Sequence, residues 1–486
     1  MKIVIAAPAV RCFAALWMFI GIACAQAPSN SLNPSVQKIV ELVSQQRIQS
    51  ILEKLESFGT RHVMSSQTDP THGIGAAMRW IHDEFQSYSP RLQVSYQPFH
   101  VRKSGAYAHD ADLANVIAVL PGSTNPEISI LVSGHYDSVN YVTNPLVKTH
   151  GERVAALVST GMAEDEARRY VEILAPGGPV DAEATAAQAI APGVSDDGSG
   201  TAVVLELARI LSQYRFRKTL VFVAFSAEEG AHTGSKTYAA EAKKAGQRIE
   251  AVLNNDIVGT DRSGNGRSAT NVLHVFGEGP EDSGARALMR YAKEISERYV
   301  PSMLLEMVLR LDRFNGGGDH MSFTETGYPA VRFTSAVESF ANRHTASDTL
   351  ANASVPYTVR VASMNAAVAA SLALAPAPPV VEWTFMSGPR KGQRVPMLTR
   401  GSSEYDAVLH WEPGDAANLA GYAIVIRPTT SLTWEKEIWV GKVTSYTLRD
   451  VSIDDVVLGV KAVDNDGNAS LVSAYQEPPY RGAAAQ

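Results

Sequence analysis

The sequence predicts an α/β domain built on a mixed, mostly parallel sheet that helices cover on both faces, followed by a small all-β domain. Strongly apolar segments alternate with helical segments up to residue 374. This alternation is typical of parallel strands that are buried on both faces. A Pro-rich stretch, 375–380, then forms a stiff linker. Beyond it only short alternating runs occur, which indicates strands without helices.

Each element of the first domain is predicted from periodicity and turn residues. Apolar residues recur at helical spacing from Val36 to Phe58 and from Gly75 to Tyr88. Further helices are predicted at Ser199–Gln213, Thr237–Ala245, Ser283–Arg298 and Tyr357–Leu374. Strands are predicted at Gln93–Val101, Ala114–Leu120, Ile128–Ser133, Thr219–Ser226, Val252–Ile257 and Ala330–Thr334.

The N-terminal segment, 1–25, has the pattern of an export signal. Lys2 and Arg11 give it a positive start, and the apolar run Phe13–Ala25 is short for a membrane span. Small residues lie at the cleavage position, so we expect cleavage after Ala25 and a secreted or periplasmic mature protein. A membrane anchor is the alternative interpretation of this segment.

Charge and cysteine content argue against several classes of function. The 486-residue chain has a net charge of −7 and no long basic run, which argues against nucleic-acid binding. Both cysteines, Cys12 and Cys24, lie in the signal segment. The mature chain would therefore contain no disulfide and no Cys-type zinc site. No later segment is apolar enough to cross a membrane.

Two motifs near predicted strand ends and helix starts contain candidate metal ligands. His135 follows a strand and could offer one ring nitrogen to a metal ion, while Asp137 could accept the proton on the other. Alone, this spacing is more typical of a structural histidine. Asp196 and Asp197 lie between glycines before the predicted helix at Ser199. Either acid could cap that helix, although capping does not account for the glycines.

Three further motifs place acids or a histidine near strands. Glu228 and Glu229 directly follow a buried strand, where open α/β sheets place their chemistry. Asp256 lies within an apolar strand, where a carboxylate is costly unless it is paired or bound to a metal. His344 repeats the ligand pattern, and Asp348 could orient it. Together the five motifs suit zinc or a related divalent ion, and a shared acid would make a two-metal centre.

The ordered set His-x-Asp, Asp-x-x-Ser-Gly, Glu-Glu, Asp and His-Thr-x-x-Asp resembles metallopeptidase family twenty-eight, the co-catalytic zinc aminopeptidases. The resemblance covers roughly residues 35–375 and includes Gly318-Asp319-His320. It implies a zinc-exopeptidase-like catalytic domain, which we place at 26–375. The implied substrates are peptides or proteins with a free N-terminus.

The resemblance implies two Zn²⁺ ions per chain and a ligand set for each. His135 and Asp256 would bind one ion, and Glu229 and His344 would bind the other. Asp196 would bridge both ions. A role for Asp197 is left open.

The resemblance also implies a mechanism in which a metal-activated water removes the N-terminal residue of a peptide. Glu228 matches the general base, which takes a proton from that water and passes it to the leaving amine. Asp137 would orient the imidazole ring of His135 by accepting the proton on its second nitrogen.

Several features depart from the family pattern or add to it. An insertion, 140–191, contains a predicted helix at Ala163–Leu174 and is either a lid or specificity loop, or a surface addition. Arg343 stands where relatives often carry Tyr, and it could steady an oxyanion or point away. We interpret His232 as loop surface.

A charged run before the glycine-rich turn 315–318 adds further substrate-binding candidates. Arg310 or Arg313 could hold the peptide backbone beside Arg343, with a solvated loop as the alternative. Beyond the linker, 376–380, residues 381–486 resemble a fibronectin type III domain.

Other classes of enzyme are alternatives to the aminopeptidase for the first domain. Two-metal carboxypeptidases and amidohydrolases share the first motif, and glutaminyl cyclases share the fold with a single zinc. The intact Asp196 loop and the late His344 motif favour the two-zinc aminopeptidase. A non-catalytic binding protein is disfavoured because Glu228 and every implied ligand are present.

Overall fold

The computed structural model describes most of the chain from residue 32 to residue 476. The described residues are 32–104, 107, 109–140, 151, 154, 158, 162–174, 190–279, 281–314, 316–387, 391–414 and 417–476. The predicted signal segment, 1–25, lies outside them, as does most of the 140–191 insertion. Among the described residues, no helix is long and apolar enough to cross a membrane.

An eight-stranded mixed sheet forms the centre of the first domain, and the predicted fold class is confirmed. Its order is β1-β2-β4-β3-β5-β8-β6-β7. The inner strands β4, β3, β5 and β8 run parallel, whereas β1, β2 and the β6–β7 pair join antiparallel. The strands are β1 Gln93–Val101, β2 Ala111–Leu120, β3 Asn125–His135, β4 Lys218–Phe225, β5 Arg248–Asn255, β6 Val272–Phe276, β7 Leu304–Val308 and β8 Ala330–Ser335.

Helices cover both faces of this sheet, as the apolar strands predict. On β4, Leu220, Phe222 and Ala224 pack into one core and Val221, Val223 and Phe225 into the other. The larger core is covered by Pro34–Glu41, Gln45–Ser57, Gly73–Tyr88, Ser199–Leu211, Gly284–Tyr299 and Val355–Leu374. The smaller core is covered by Thr233–Lys244 and His320–Thr326.

Some boundaries differ from those predicted. The single helical stretch predicted from Val36 to Phe58 is two helices, because Ser44 caps a new one by accepting the N–H of Arg47. The short strands β6 and β7 and the helix His320–Thr326 were not predicted, since segments of five to seven residues show little periodicity. The helix predicted in the insertion is present at Glu164–Leu174.

The C-terminal β domain consists of two small antiparallel sheets and a hairpin, as predicted for an all-β domain. The sheets have the orders β14-β13-β16-β17 and β11-β12-β15, and β9 pairs with β10. Residues of both sheets share one core, in which Trp411 packs edge-on against Tyr422 at 5.5 Å between ring centroids. The strands are β9 Trp383–Phe385, β10 Arg394–Pro396, β11 Leu398–Thr399, β12 Ala407–His410, β13 Leu419–Pro428, β14 Lys436–Gly441, β15 Ser445–Leu448, β16 Val456–Asp464 and β17 Ser473–Ala474. The fibronectin type III resemblance stays a prediction.

Buried ion pairs join the two domains. Arg427 on β13 is fully buried and pairs with Asp282 at 2.9 Å and with Glu281 at 3.0 Å. Asp282 also pairs with Arg290 at 2.6 Å, on the helix Gly284–Tyr299. The β domain is thus fixed to the α/β domain through a cluster of charges in which the side chains of Arg427, Asp282 and Arg290 are buried.

Candidate metal centre

The ends of the central parallel strands converge on one group of side chains. His135 is the last residue of β3, and Asp256 directly follows β5. Glu228 and Glu229 open the short helix Glu228–Ala231, which begins three residues beyond the last residue of β4. Parallel strands bring these ends to the same edge of the sheet, where α/β proteins form their sites.

Two loops complete the group. Asp196 lies in the irregular turn Val194–Gly198 that leads into the helix Ser199–Leu211. His344 lies in the loop after β8, nine residues beyond its last residue, Ser335. The structure therefore brings together all five predicted metal ligands and the predicted base.

Asp196 lies between the two histidines. Its Oδ1 is 3.3 Å from Nε2 of His135, and its Oδ2 is 2.8 Å from Nε2 of His344. On the first side, His135 Nε2 is 3.7 Å from Oδ1 of Asp256. On the second side, His344 Nε2 is 3.2 Å from Oε2 of Glu229. Each oxygen of one carboxylate thus faces a separate pair of one histidine and one acid.

The donor atoms fit a metal ion. Nε2 of His135 and Oε1 of Glu229 are buried and lack a hydrogen-bond partner among the described residues, which is costly unless an ion takes that place. Ligand atoms of His135, Glu228 and Asp256 lie within 4.8 Å of one another, as do those of His135, Asp196 and Glu229. Imidazole nitrogens and carboxylate oxygens are ligands that zinc accepts.

The charges of the group shift the pKa values of its histidines upward. Burial lowers the pKa of His344, but Glu229 and Asp196 more than offset this and raise it to about 10. Burial opposes the charged form of His135 too, yet Glu228 and the carboxylates of Asp137, Asp196 and Asp256 raise its pKa well above the usual value. In the absence of a metal ion, the neighbouring carboxylates thus favour the protonated, positively charged form of both rings. Metal ions and protons therefore compete for this site.

Asp137 supports two parts of the centre at once. Its carboxylate accepts the backbone N–H groups of Glu228 and Glu229, both at 3.2 Å. Its backbone carbonyl lies 3.1 Å from Nδ1 of His135, and its Oδ1 lies 3.5 Å from the same nitrogen. The predicted support of the His135 ring thus comes from the carbonyl as well as the carboxylate.

Two other buried acids, Asp197 and Asp348, accept hydrogen bonds from backbone N–H groups. Asp197, whose role was open, accepts the N–H groups of His135, Gly200 and Ile257 at 2.9–3.1 Å. Asp348 was expected to orient His344. Its carboxylate accepts the N–H groups of Ser195 and Asp196 at 2.9 and 3.0 Å, so it holds the Asp196 turn in place.

The backbone is strained around these residues. Ala227, His232, Ile257 and His344 have φ between 55° and 61°, a left-handed conformation that residues other than glycine rarely adopt. His344 is a candidate ligand, Ile257 follows the candidate ligand Asp256, and Ala227 and His232 flank the helix Glu228–Ala231. Such strain persists where the surrounding structure holds it, and it clusters at functional sites.

Sequence reasoning missed Arg332 and Asp312. Arg332 is fully buried on β8, forms an ion pair through Nη2 with Asp256 Oδ1 at 3.0 Å, and donates from Nη1 to both oxygens of Asp312 at 2.9 Å. The pKa of Asp256 is lowered, although burial opposes this, because Arg332 and His135 favour its ionised form. The signal was available: an arginine within the apolar segment 330–334 is as costly as an aspartate there.

His232 was interpreted as loop surface, and this was wrong. Its ring is half-buried, and its Nε2 lies 3.4 Å from Oε1 of Glu228. The loop packs closely on the ring at Gly317, where a Cβ would lie 2.8 Å from the His232 ring and would force one of the two to shift. Asp319, also missed, is fully buried nearby without a hydrogen-bond partner for its carboxylate among the described residues. Burial and the neighbouring Glu228 raise the pKa of Asp319 to about 7.

The three candidate substrate-binding arginines separate in the structure. Arg313 and Arg343 lie on the wall of the cavity above the centre, whereas Arg310 is exposed and lies outside that wall. The cavity has a volume of about 220 Å³. It is lined by Asp196, Glu228, Glu229, His232, Asp256, Arg313, Gly316, Gly317, Arg332, Arg343 and His344.

The fold and this centre define a metal-dependent hydrolase of the α/β class. The profile of Peptidase family M28 matches residues 115–369. A probable zinc metalloprotease of Pyricularia oryzae is 32% identical, over 92% of this chain and 84% of that protein. Another, of Leptosphaeria maculans, is 31% identical, over 88% of this chain and 94% of that protein. The chain belongs to Peptidase family M28 and is a zinc metallopeptidase.

Solved structures of similar chains include two kinds of enzyme. The LapA aminopeptidase of Legionella pneumophila is 19% identical, with 72% of this chain and 77% of that chain covered and a TM-score of 0.48. The glutaminyl cyclase of Fimbriiglobus ruber is 18% identical, with 70% and 97% covered and a TM-score of 0.48.

Proposed function

We propose that this metallopeptidase is a two-zinc aminopeptidase, which releases single residues from the free amino end of peptides. The observation that carries the proposal is Asp196, whose two oxygens face two separate histidine–acid pairs at 3.3 and 2.8 Å. A carboxylate in that position can bridge two ions. His135 and Asp256 would complete one site, and Glu229 and His344 the other.

The size of the cavity supports action at a chain end. A volume of about 220 Å³ suits one residue better than a peptide that passes through in both directions. The choice of the amino end rests on the ordered set of motifs, which resembles the co-catalytic zinc aminopeptidases. When bound, the ions would polarise the scissile carbonyl and lower the pKa of a water molecule.

Glu228 is the residue we assign as general base. Its carboxylate reaches the centre, with Oε2 3.8 Å from Nε2 of His135 and Oε1 3.4 Å from Nε2 of His232. Asp137 holds the backbone N–H of Glu228 and so fixes where the side chain begins. Glu228 accepts a proton from the attacking water and delivers it to the amine as the C–N bond breaks.

Hydrolysis of aminoacyl-p-nitroanilides tests the proposal. The purified protein should cleave substrates with a free amine, lose this activity on chelation, and recover it with zinc. The same substrates with acetylated amines are the matched control and should remain intact. Cleavage of the acetylated substrates, or of neither set by protein with two bound zinc ions, would contradict the aminopeptidase and direct attention to amidohydrolase or cyclase chemistry.

A further inference from the structure

Two arginines on the cavity wall share one carboxylate. Nη1 of Arg313 lies 2.5 Å from Oε1 of Glu338, and Nη1 of Arg343 lies 3.2 Å from Oε2 of the same residue. Glu338 is itself buried, with 8% exposure. Two guanidinium groups held by a single carboxylate leave a net charge of about +1 at this wall.

Both guanidinium groups are held in place with binding capacity to spare. Each is bound by Glu338 through one nitrogen, Nη1, of a group that has five N–H donors. The Nε of Arg313 is buried, so a ligand in the cavity would contact the Nη groups. Oδ1 of Asp312 lies 3.6 Å from Nε of Arg313, and the Asp312 carboxylate is already bound by Arg332 at 2.9 Å. Cζ of Arg343 lies over the exposed ring of Phe340, 5.0 Å from the ring centroid, in a cation–π contact. Immobilised, partly unsatisfied guanidinium groups suit a planar anion such as a carboxylate.

The rest of the cavity would not repel such an anion. Its other charged lining includes four carboxylates, those of Asp196, Glu228, Glu229 and Asp256. Two Zn²⁺ ions would offset these four negative charges. The charge on Arg332 is matched by that of Asp312, which lies 2.9 Å from it. The excess positive charge in the loaded cavity is then that of the Arg313–Glu338–Arg343 cluster.

We infer that Arg313 and Arg343 bind a carboxylate of the peptide substrate. The inference rests on the proposed function and adds a substrate class: peptides with a carboxylate close to the scissile bond. That carboxylate has two sources, the side chain of an N-terminal Glu or Asp and the free α-carboxylate of a dipeptide. The alternative is that Glu338 merely ties two loops together, in which case the cluster affects stability and not the choice of ligand.

Binding to a turnover-deficient protein separates these cases. Zinc-loaded Glu228→Gln protein is titrated calorimetrically with Gln-Gly-amide, which has no carboxylate, with Glu-Gly-amide and with Gln-Gly. Each ligand has a free amine, and each of the last two adds one carboxylate at a different place. The titrations are repeated with Arg343→Met and Arg313→Met in the same background, and with Arg400→Met as the control. Arg400 is exposed, lies in the β domain and pairs with Asp454.

We expect one of the carboxylate-bearing ligands to bind about tenfold more tightly than Gln-Gly-amide, as for one charge-assisted contact. Arg343→Met and Arg313→Met should each bring this ratio to within about threefold of unity, while Arg400→Met leaves it unchanged. The preferred ligand identifies the source of the carboxylate.

Equal binding of all three ligands would overturn the inference and leave the aminopeptidase standing. A preference that survives in both arginine variants would overturn it as well. No binding of any ligand by the zinc-loaded protein would count against the inference and the proposed function together. The p-nitroanilide assay on the unmodified enzyme tests the proposed function by itself.

Discussion

At the scale of single residues, the centre depends on acids with different tasks. Asp196, Asp256 and Glu229 face histidines, whereas Asp137 and Asp197 bind backbone N–H groups. Sequence alone does not separate a ligand from a backbone anchor, because both are buried carboxylates. The separation follows from which partners lie within hydrogen-bonding distance.

Replacement of Glu228 tests its role as the base. Glu228→Gln keeps the shape of the side chain but cannot accept the proton, so kcat should fall by about 10²- to 10⁴-fold. Zinc content, measured by atomic emission, should stay near that of the unmodified protein. The exposed Glu53→Gln is the matched control. Activity near the unmodified level in Glu228→Gln would remove this residue as the base.

Replacement of Asp196 tests the number of ions. Asp196→Asn removes the charge that faces both histidines, so the protein should lose at least one zinc ion together with its activity. Asp197 would not replace Asp196 as the bridging residue, since the Asp197 carboxylate already binds three backbone N–H groups. Retention of two zinc ions by Asp196→Asn would show that the bridge lies elsewhere.

Zinc affinity should depend on pH. The neighbouring carboxylates raise the pKa of His344 to about 10 and that of His135 well above its usual value, so zinc must displace protons below these values. The apparent affinity should therefore fall as pH falls, by about tenfold per pH unit for each proton displaced. Titration with a competing chelator between pH 8 and 6 measures it. An affinity that does not change with pH would contradict these protonation states.

At the scale of elements, the strands positioned the centre and were the most predictable part of it. The central strands carry continuous apolar runs, and their predicted cores match β3, β4 and β8 closely. Strand β5 begins four residues and ends two residues earlier than predicted, so Asp256 follows this strand and does not lie within it. The loops were less predictable. The turn 316–318 lies against His232 because glycine has no side chain there, and this tertiary contact leaves no periodic signal.

Arg427 on β13 offers a test of how the β domain is fixed. Arg427→Met leaves Asp282 buried with Arg290 as its remaining ion-pair partner, so the free energy of unfolding should fall by about 3 kcal/mol. Arg400→Met breaks an exposed pair and should cost about 0–1 kcal/mol. Urea unfolding measures both. Equal losses in the two variants would show that the buried cluster contributes little.

At the scale of the whole molecule, the chain joins a zinc metallopeptidase domain to a β domain, and we propose that it is exported. Cleavage after Ala25 predicts a mature protein that begins at Gln26. Intact-mass measurement of protein released from cells that express the full chain checks this start. A full-length chain recovered with membranes would instead support the anchor interpretation.

The sequence by itself determined the fold class, the family and the five ligand candidates, because these depend on local periodicity and on short motifs at strand ends. Tertiary structure decided which residues from distant parts of the chain are in contact. Arg332 pairs with Asp256, and His232 lines the cavity and not the protein surface. Arg313 and Arg343 pair with the same carboxylate, that of Glu338, whereas Arg310 does not line the cavity. Such pairings depend on where loops from distant segments meet, and neither composition nor spacing records that.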